Sequence, residues 1–281
     1  MGVTGFWQCR RGKIPFLKRP LVMGIVNVTP DSFSDGGCWA TPDAAVEHAL
    51  QLVREGADIL DVGGESTRPG ADPVPPNEEM ARVVPVITRL AALTEVPVSV
   101  DTRRPEVAER AIAAGAWIVN CVAPFTELPG MAEAVKAGGA GVVVMHARGT
   151  PQTMAGLTGY ADVAGEVAEA LEASVAFAVD RGIGREAVVV DPGIGFAKDT
   201  DENCTLLARM DRLTSIAPVL IGASRKRFIG AVCGETDAAL RDGGSVGVAV
   251  WAALHGAAVV RVHAVRESVQ ALKMIERITR G

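Results

Sequence analysis

The sequence has few cysteines and no spacing that would pair them. Five cysteines are scattered over 281 residues, and none forms the Cys-x-x-Cys pattern typical of zinc sites and redox motifs. We therefore expect unpaired thiols and neither a disulfide framework nor a zinc site.

Long hydrophobic segments are also missing. The first twenty residues place basic side chains among short apolar pieces and lack the continuous apolar region of a secretory signal. The most apolar later stretch, 246–262, is interrupted by His255 and Arg261 and is too short to span a bilayer. These features predict a soluble, cytoplasmic protein that binds no membrane.

Aromatic residues and positive charge are scarce as well. Aromatics make up 4% of a chain that is 48% hydrophobic, which favours close helix–strand packing over an aromatic-rich sandwich. A net charge of −5 argues against nucleic acid, so an anionic ligand must be bound by a few local cations. No linker or low-complexity tract divides the chain, and we expect one domain over residues 1–281.

What the chain does contain is a regular alternation of apolar runs and Ala-rich segments. The near-continuous apolar character of the runs indicates parallel strands buried on both faces, and the segments between them have helical spacing. Gly-Ala pairs at the helix–strand joints fit a left-handed residue that ends each helix. The runs are LVMGIV, DILDV, VPVSV, WIVN, GVVVM, AVVVD, PVLIG and AVVRV; helices are predicted at 44–54, 77–93, 105–114, 163–180 and 245–255.

This order predicts an α/β fold, a single (β/α)₈ TIM barrel, with a doubly wound open sheet as the alternative. Every predicted strand is followed by a polar residue. In a barrel these residues meet at the C-terminal ends of the strands, where the active site of this fold lies. The predicted ring consists of Asn27, Asp61, Asp101, Asn120, His146, Asp191, Ser224 with Lys226, and Arg261 with His263.

Four segments beside this ring point to an anionic ligand. The loops 28–37 and 63–73 are rich in glycine and hydroxyl groups, and the second carries Arg68, whose guanidinium suits a phosphate or carboxylate. Segments 223–228 and 261–263 add basic residues after the last two strands, where barrels often bind phosphate. The sequence therefore predicts a diphosphate site on one side of the barrel mouth.

The acidic and amide residues of the ring suggest the rest of the ligand. Asp101, Asn120 and Asp191 would be costly to bury without N–H donors, which an aminopyrimidine ring supplies. Lys226 would face the carbonyl and ring nitrogen of such a ligand. His146 is open to two interpretations, a ligand contact or a core histidine with its own hydrogen-bond partners.

These motifs resemble those of the dihydropteroate synthase family over nearly the whole chain. The segments MGIVNVTPDSFSDGG and DVGGESTRPGA are long and specific, and SVDT, MHARGTP, DPGIGFAK, GASRKRF and RVH follow in the family's order. The resemblance implies condensation of 6-hydroxymethyl-7,8-dihydropterin diphosphate with 4-aminobenzoate, with release of pyrophosphate. It also implies Mg²⁺ as cofactor, a homodimer and competition by sulfonamides.

The resemblance further implies a role for each matched residue, and makes Lys226, Asp101 and Asp191 the catalytic group. The pterin residues are Asp101, Asn120, Asp191 and Lys226; the diphosphate residues are Asn27, Thr67, Arg68, Arg261 and His263, with Asn27 beside the metal; the aminobenzoate residues are Phe33, Asp35, Thr67, Pro69, Phe196 and Lys226.

Two positions depart from the family pattern. Cys121 stands where an Asp usually follows the asparagine of the fourth strand, and Ala264 stands where an Asp often follows His263. They leave open a synthase of reduced activity or a paralogue with a changed pterin substrate. Two further alternatives are a non-catalytic partner protein and a methyltetrahydrofolate-dependent methyltransferase, which would not need the basic diphosphate residues or the STRPG loop found here.

Overall fold

The computed structural model describes residues 3–29, 41–68 and 70–279, and within them the chain forms a parallel barrel. Neighbouring barrel strands follow chain order, and the last pairs with the first. The barrel strands are β3 (Leu21–Asn27), β4 (Ile59–Gly63), β5 (Val98–Thr102), β6 (Ile118–Cys121), β7 (Gly141–Met145), β8 (Val188–Asp191), β9 (Leu220–Ile221) and β10 (Val259–Val262).

A single parallel bridge closes the ring between β8 and the residues before β9. Val190 pairs with Val219, and its amide donates to the Pro218 carbonyl at 2.9 Å. A doubly wound sheet would leave two open edges, so the predicted TIM barrel is confirmed. The seventh predicted run, PVLIG, contributes only two residues of regular strand, Leu220 and Ile221, because its pairing with β8 is limited to this one bridge.

Helices follow the strands and cover the outside of the barrel. The first four begin at a proline, whose missing N–H costs nothing in the first turn. Gly56 and Gly139 end two of them in the left-handed conformation predicted for the Gly-Ala joints. The helices are α1 (Pro42–Glu55), α2 (Pro76–Leu93), α3 (Pro105–Ala114), α4 (Pro129–Gly138), α5 (Val163–Asp180), α6 (Thr200–Ala208), α7 (Asp211–Thr214), α8 (Arg227–Cys233), α9 (Asp242–Leu254) and α10 (Val265–Thr279).

Alternate residues of each strand form two separate apolar layers. Side chains such as Val62, Val100 and Val190 face the helices, while Ile59 and Val189 belong to a second cluster inside the barrel. Both layers are apolar, which explains why the strand sequences show almost no alternation. Two residues further along each of these strands, toward its C-terminal end, the inward-facing side chain is polar.

An N-terminal hairpin that the sequence does not predict closes the opposite end of the barrel. Strands β1 (Phe6–Cys9) and β2 (Gly12–Pro15) pair antiparallel. Trp7 is fully buried in the interior cluster, and its indole Nε1 donates to the Ala187 carbonyl at 2.8 Å. The barrel interior is therefore accessible to ligands from the C-terminal ends of the strands.

None of the helices in the described ranges is long and apolar enough to cross a membrane. The four cysteines within these ranges, Cys9, Cys121, Cys204 and Cys233, are free thiols.

Candidate active site

The centre of the barrel mouth is an arginine held between two buried carboxylates. Arg261 of β10 donates through Nε to Asp61 Oδ2 at 2.6 Å and through Nη2 to Asp101 Oδ2 at 2.7 Å. Asn120 of β6 donates to the same Asp61 oxygen at 3.0 Å. Strands β4, β5, β6 and β10 thus each contribute one inward side chain to a connected network.

The charges in this network are strongly coupled because water is excluded. Burial raises the pKa of Asp101, Arg261 opposes this rise, and the charges of Asp61 and Glu79 add to it, so that the pKa is about 7. Burial alone would lower the pKa of Arg261, but the carboxylates of Asp61 and Asp101 raise it. The guanidinium therefore stays charged beside the two carboxylates.

A second charged pair lies across the mouth. Asp191 ends β8 and accepts from the Gly193 amide at 2.7 Å. Burial raises the pKa of Asp191, opposed by the nearby charge of Lys226. Burial likewise lowers the pKa of Lys226 to about 8, and Asp191 opposes that change. The Lys226 ammonium also donates to the Ile194 carbonyl and lies 4.6 Å from the centre of the Phe196 ring.

Ion pairs fix the second loop, 63–73, beside the network. Glu65 in this loop accepts from Arg103 Nε and Arg104 Nη2, both at 2.9 Å, and from the Val74 amide at 2.9 Å. Arg104 also binds the fully buried Glu79 of α2. Because Arg103 and Arg104 directly follow β5, the loop is anchored next to Asp101.

The second loop and the loop after β8 meet at a small cleft. Thr67 and Phe196, both predicted for the aminobenzoate pocket, line it together. Val122 and Ala123, which follow Cys121, complete part of an apolar wall. The structure therefore brings these two predicted residues into one cleft.

The residues predicted for the diphosphate differ in depth. Asn27 is half-buried at the end of β3, whereas Arg68 is exposed on the second loop. Arg261 lies in the carboxylate network rather than at the rim. His263 Nδ1 is 2.9 Å from Ser224 Oγ, and burial, together with Arg225, Arg261, Arg68 and His48, lowers its pKa well below the ordinary value. The lowered pKa favours the neutral imidazole of His263, so Arg68 and Arg261 carry the positive charge among the predicted diphosphate residues.

His146 is a buried residue with its own hydrogen-bond partner. Its Nδ1 lies 2.9 Å from Lys198 Nζ, and its amide donates to the Asp191 carbonyl at 3.0 Å. These contacts favour the core-histidine interpretation. Lys198 belongs to the quoted motif DPGIGFAK but received no predicted role, since a single lysine in a loop gives no indication that it is buried.

The two departures from the family pattern leave the network intact. Cys121 is buried, its Sγ is 3.7 Å from the Ala123 carbonyl, and burial raises the pKa of its thiol to about 12. The thiol is therefore inert at neutral pH.

Three predicted aminobenzoate residues, Phe33, Asp35 and Pro69, lie outside the described residues.

Comparison with known proteins identifies the family of this chain. The family model described as pterin binding enzyme matches residues 23–263. Dihydropteroate synthase of Neisseria meningitidis serogroup C is 45% identical, over 97% of each chain. The Xanthomonas albilineans dihydropteroate synthase with 4-aminobenzoic acid is 48% identical, covers 93% of each chain and superposes with a TM-score of 0.87. The Yersinia pestis dihydropteroate synthase with a sulfonamide drug is 39% identical, covers 98% of this chain and 99% of its own, and has a TM-score of 0.92.

The chain belongs to the pterin-binding enzymes, a class of barrel enzyme. Within that class it belongs to the dihydropteroate synthase family, because relatives more than 40% identical along nearly the entire chain are dihydropteroate synthases. The predicted family is confirmed, and the methyltransferase and the non-catalytic protein lose their support.

The network predicts that Asp61, although it received no role from the resemblance, is required for ligand binding. In Asp61→Asn the shared acceptor loses its charge, so Arg261 and Asn120 are held less firmly. A charge-assisted hydrogen bond is worth about 1.5–3 kcal/mol, so affinity for dihydropterin diphosphate should fall roughly ten- to hundredfold. Isothermal titration calorimetry measures this affinity directly.

Asp58→Asn is the matched control. Asp58 also accepts from an arginine, Arg19, at 2.7 Å, but it precedes β4 and lies at the opposite end of the barrel. The affinity of Asp58→Asn for dihydropterin diphosphate should equal that of the wild type. Equal loss of affinity in both variants, or no loss in Asp61→Asn, would contradict the role given to Asp61.

Proposed function

We propose that this enzyme condenses 6-hydroxymethyl-7,8-dihydropterin diphosphate with 4-aminobenzoate to give 7,8-dihydropteroate and pyrophosphate, a step in folate biosynthesis. The observation that carries the proposal is the layer of buried acceptors around one barrel mouth. Asp61 Oδ1 and Asn120 Oδ1 are buried and have no hydrogen-bond partner among the described residues. Such a layer suits a ring rich in N–H donors.

The pterin is proposed to bind deepest, against Asp101, Asn120, Asp191 and Lys226. The two carboxylates accept from the amino group and ring N–H groups, and Lys226 donates to the ring carbonyl and nitrogen. Lys226 keeps its positive charge near neutral pH because Asp191 opposes the effect of burial. Its ammonium is therefore available as a donor at the pH of the cell interior.

The diphosphate is proposed to lie at the rim, bound by Asn27, Thr67, Arg68, Arg261 and His263. A neutral His263 serves there as a hydrogen-bond donor rather than as a charge, and Arg261 reaches the diphosphate from its position between Asp61 and Asp101. Binding of an anion by guanidinium groups is bidentate and strong.

Magnesium is the proposed cofactor, held by the side-chain oxygen of Asn27 together with the diphosphate. No group of three or more His, Cys, Asp or Glu residues in the described ranges forms a metal cage. This donor set fits Mg²⁺, which prefers oxygen ligands, retains several waters and often binds through one protein group and substrate phosphates. The ion supplies neutralisation of the charge that develops on the leaving pyrophosphate.

The aminobenzoate is proposed to bind in the cleft between Thr67 and Phe196, with Lys226 at its base and Phe33, Asp35 and Pro69 from the two early loops. Phe196 and Lys226 already form one surface, since the ammonium lies 4.6 Å from the ring centre. Sulfonamides have the shape of aminobenzoate and should compete there.

The proposed reaction is a displacement at the exocyclic methylene carbon. Its bond to the diphosphate oxygen breaks, pyrophosphate leaves, and the amine nitrogen of aminobenzoate forms the new carbon–nitrogen bond. In this proposal, positive charge delocalised over the pterin favours the ionised carboxylates of Asp101 and Asp191, and these carboxylates in turn stabilise that charge. The proton on the attacking nitrogen is then lost to water, and an aniline needs no strong base for this step.

An assay of the purified protein with both substrates and Mg²⁺ tests the proposal. The wild type should release pyrophosphate and form dihydropteroate, whereas Lys226→Ala and Asp191→Asn should lose turnover by roughly a hundredfold or more, because preorganised charges contribute about 3–4 kcal/mol each. Circular dichroism should show both variants folded.

Lys273→Ala is a control for the lysine change, since Lys273 is exposed on α10, and it should retain full activity. Wild-type rates in Lys226→Ala or Asp191→Asn would show that the catalytic residues have been assigned wrongly. An inactive wild type would contradict the proposed reaction itself.

We propose that the protein is cytoplasmic, that residues 1–281 are one domain, and that it acts as a homodimer through α9 and α10. Six of the ten large exposed apolar side chains of the described residues lie between α8 and the end of α10. Among them, Leu254, Met274 and Ile278 are 48%, 60% and 65% exposed. A surface of this kind favours association.

Light scattering after size-exclusion chromatography should give twice the chain mass of 29.2 kDa. The double variant Met274→Glu with Ile278→Glu should elute as a monomer, because two charges would be buried in the interface. Leu93→Glu, at a side chain 57% exposed on α2, should remain dimeric. A monomeric wild type would exclude this interface.

A further inference from the structure

A buried lysine that the proposed reaction does not use lies in the loop between β8 and α6. Lys198 is 7% exposed, and its ammonium contacts three acceptors. Nζ donates to the Phe196 carbonyl at 3.0 Å and to the Gly193 carbonyl at 3.1 Å, and it lies 2.9 Å from His146 Nδ1. Three acceptors satisfy all three N–H groups of an ammonium.

His146 presents one of these acceptors from the end of β7. Burial and, to a smaller extent, the charges of Lys198 and Arg148 together lower the pKa of His146 to about 3, so the ring is neutral. A neutral imidazole that accepts at Nδ1 carries its proton on Nε2. Burial also lowers the pKa of Lys198, to about 7. At pH 6.5 its ammonium form therefore predominates and donates to the ring of His146.

The two residues together determine where the loop 192–197 lies. Gly193 has φ +68°, and a Cβ atom at this position would lie 2.0 Å from the His146 carbonyl oxygen. The loop thus packs directly on the end of β7, with no space for a side chain. Lys198 holds both ends of this loop in place through hydrogen bonds to the carbonyls of Gly193 and Phe196.

Phe196 is the residue of this loop that faces the second substrate in the proposed function. Its ring lies against Lys226 and lines the cleft with Thr67. Asp191, by contrast, is held by β8 and by the Gly193 amide. Displacing Phe196 therefore affects the cleft more than the pterin pocket.

We propose that Lys198 is a positioning residue for the arylamine site: through the Phe196 and Gly193 carbonyls, and with His146 as its third acceptor, it holds Phe196 against Lys226. The inference rests on the proposed function for the identity of the second substrate. It assigns His146 a matching role as the acceptor that orients Lys198.

Steady-state kinetics and direct binding measurements on a set of variants test this inference at pH 6.5. Lys198→Met removes three donors, and His146→Leu removes one acceptor, so in both the KM for 4-aminobenzoate should rise roughly tenfold or more, because misplacement of a substrate-contacting group is costly. The Kd of pterin diphosphate, measured by calorimetry, should change by a clearly smaller factor, because β8 fixes Asp191 in addition to the Gly193 amide.

His146→Asn is the conservative variant, because the amide oxygen of asparagine can take the place of Nδ1 as an acceptor, and it should restore most of the arylamine affinity lost in His146→Leu. Lys273→Met, at an exposed lysine, controls for loss of a lysine. Should Lys198→Met not fold, the comparison of His146→Leu with His146→Asn decides the question.

Hydrogen exchange provides a second readout that does not depend on activity. The Phe196 amide, which donates to the Gly193 carbonyl at 3.0 Å, should lose protection in Lys198→Met while strands β4 to β8 keep theirs. Unchanged protection and unchanged arylamine KM would overturn the inference, as would equal weakening of both substrates. An inactive wild type whose loop still loosens in Lys198→Met would count against the proposed function and leave the positioning role supported.

Discussion

The site depends on one interaction, the contact of the Arg261 guanidinium with the carboxylates of Asp61 and Asp101. Two buried negative charges on neighbouring strands would repel each other strongly in the absence of the arginine. With it, they draw β4, β5 and β10 together at the barrel mouth, and Asp61 also orients Asn120. The layer proposed to bind the pterin is thus held in place before any ligand arrives.

The barrel provides the spacing that makes this network possible. Every second strand residue points inward, so an apolar layer at Ile59 and Val189 is followed, two residues later, by the polar layer at Asp61 and Asp191. The N-terminal hairpin fills the other end with Trp7. Charged groups are thereby confined to one end, where burial shifts their pKa values and the loops complete the walls.

Much of the fold could be predicted because its strands are buried on both faces and therefore read as apolar runs. The same pattern predicts a ring of polar residues at the C-terminal ends of the strands, and Asp101, Asn120 and Asp191 lie at those ends. The hairpin could not be predicted, since strands of four residues that include basic side chains show no periodic pattern.

The interactions within the site were harder to predict than its residues. Arg261 appeared to be a rim cation, yet it binds two carboxylates, because nothing in the sequence shows that positions 61 and 261 are neighbours. The neutral state of His263 and the burial of Lys198 likewise arise from packing between distant segments. The sequence shows that these three side chains are present, but their partners and charges are determined by packing in the folded chain.

Burial and the charges of Arg261 and Asp61 together determine the ionisation of Asp101. Carbon-13 NMR titration of aspartate carboxyl groups in the ligand-free protein measures this ionisation, with the Asp101 signal assigned by its absence in Asp101→Asn. We expect a midpoint near neutrality, at about pH 7. A midpoint near the ordinary aspartate value of about 4 would show that burial does not control the charge of Asp101 and would contradict this expectation.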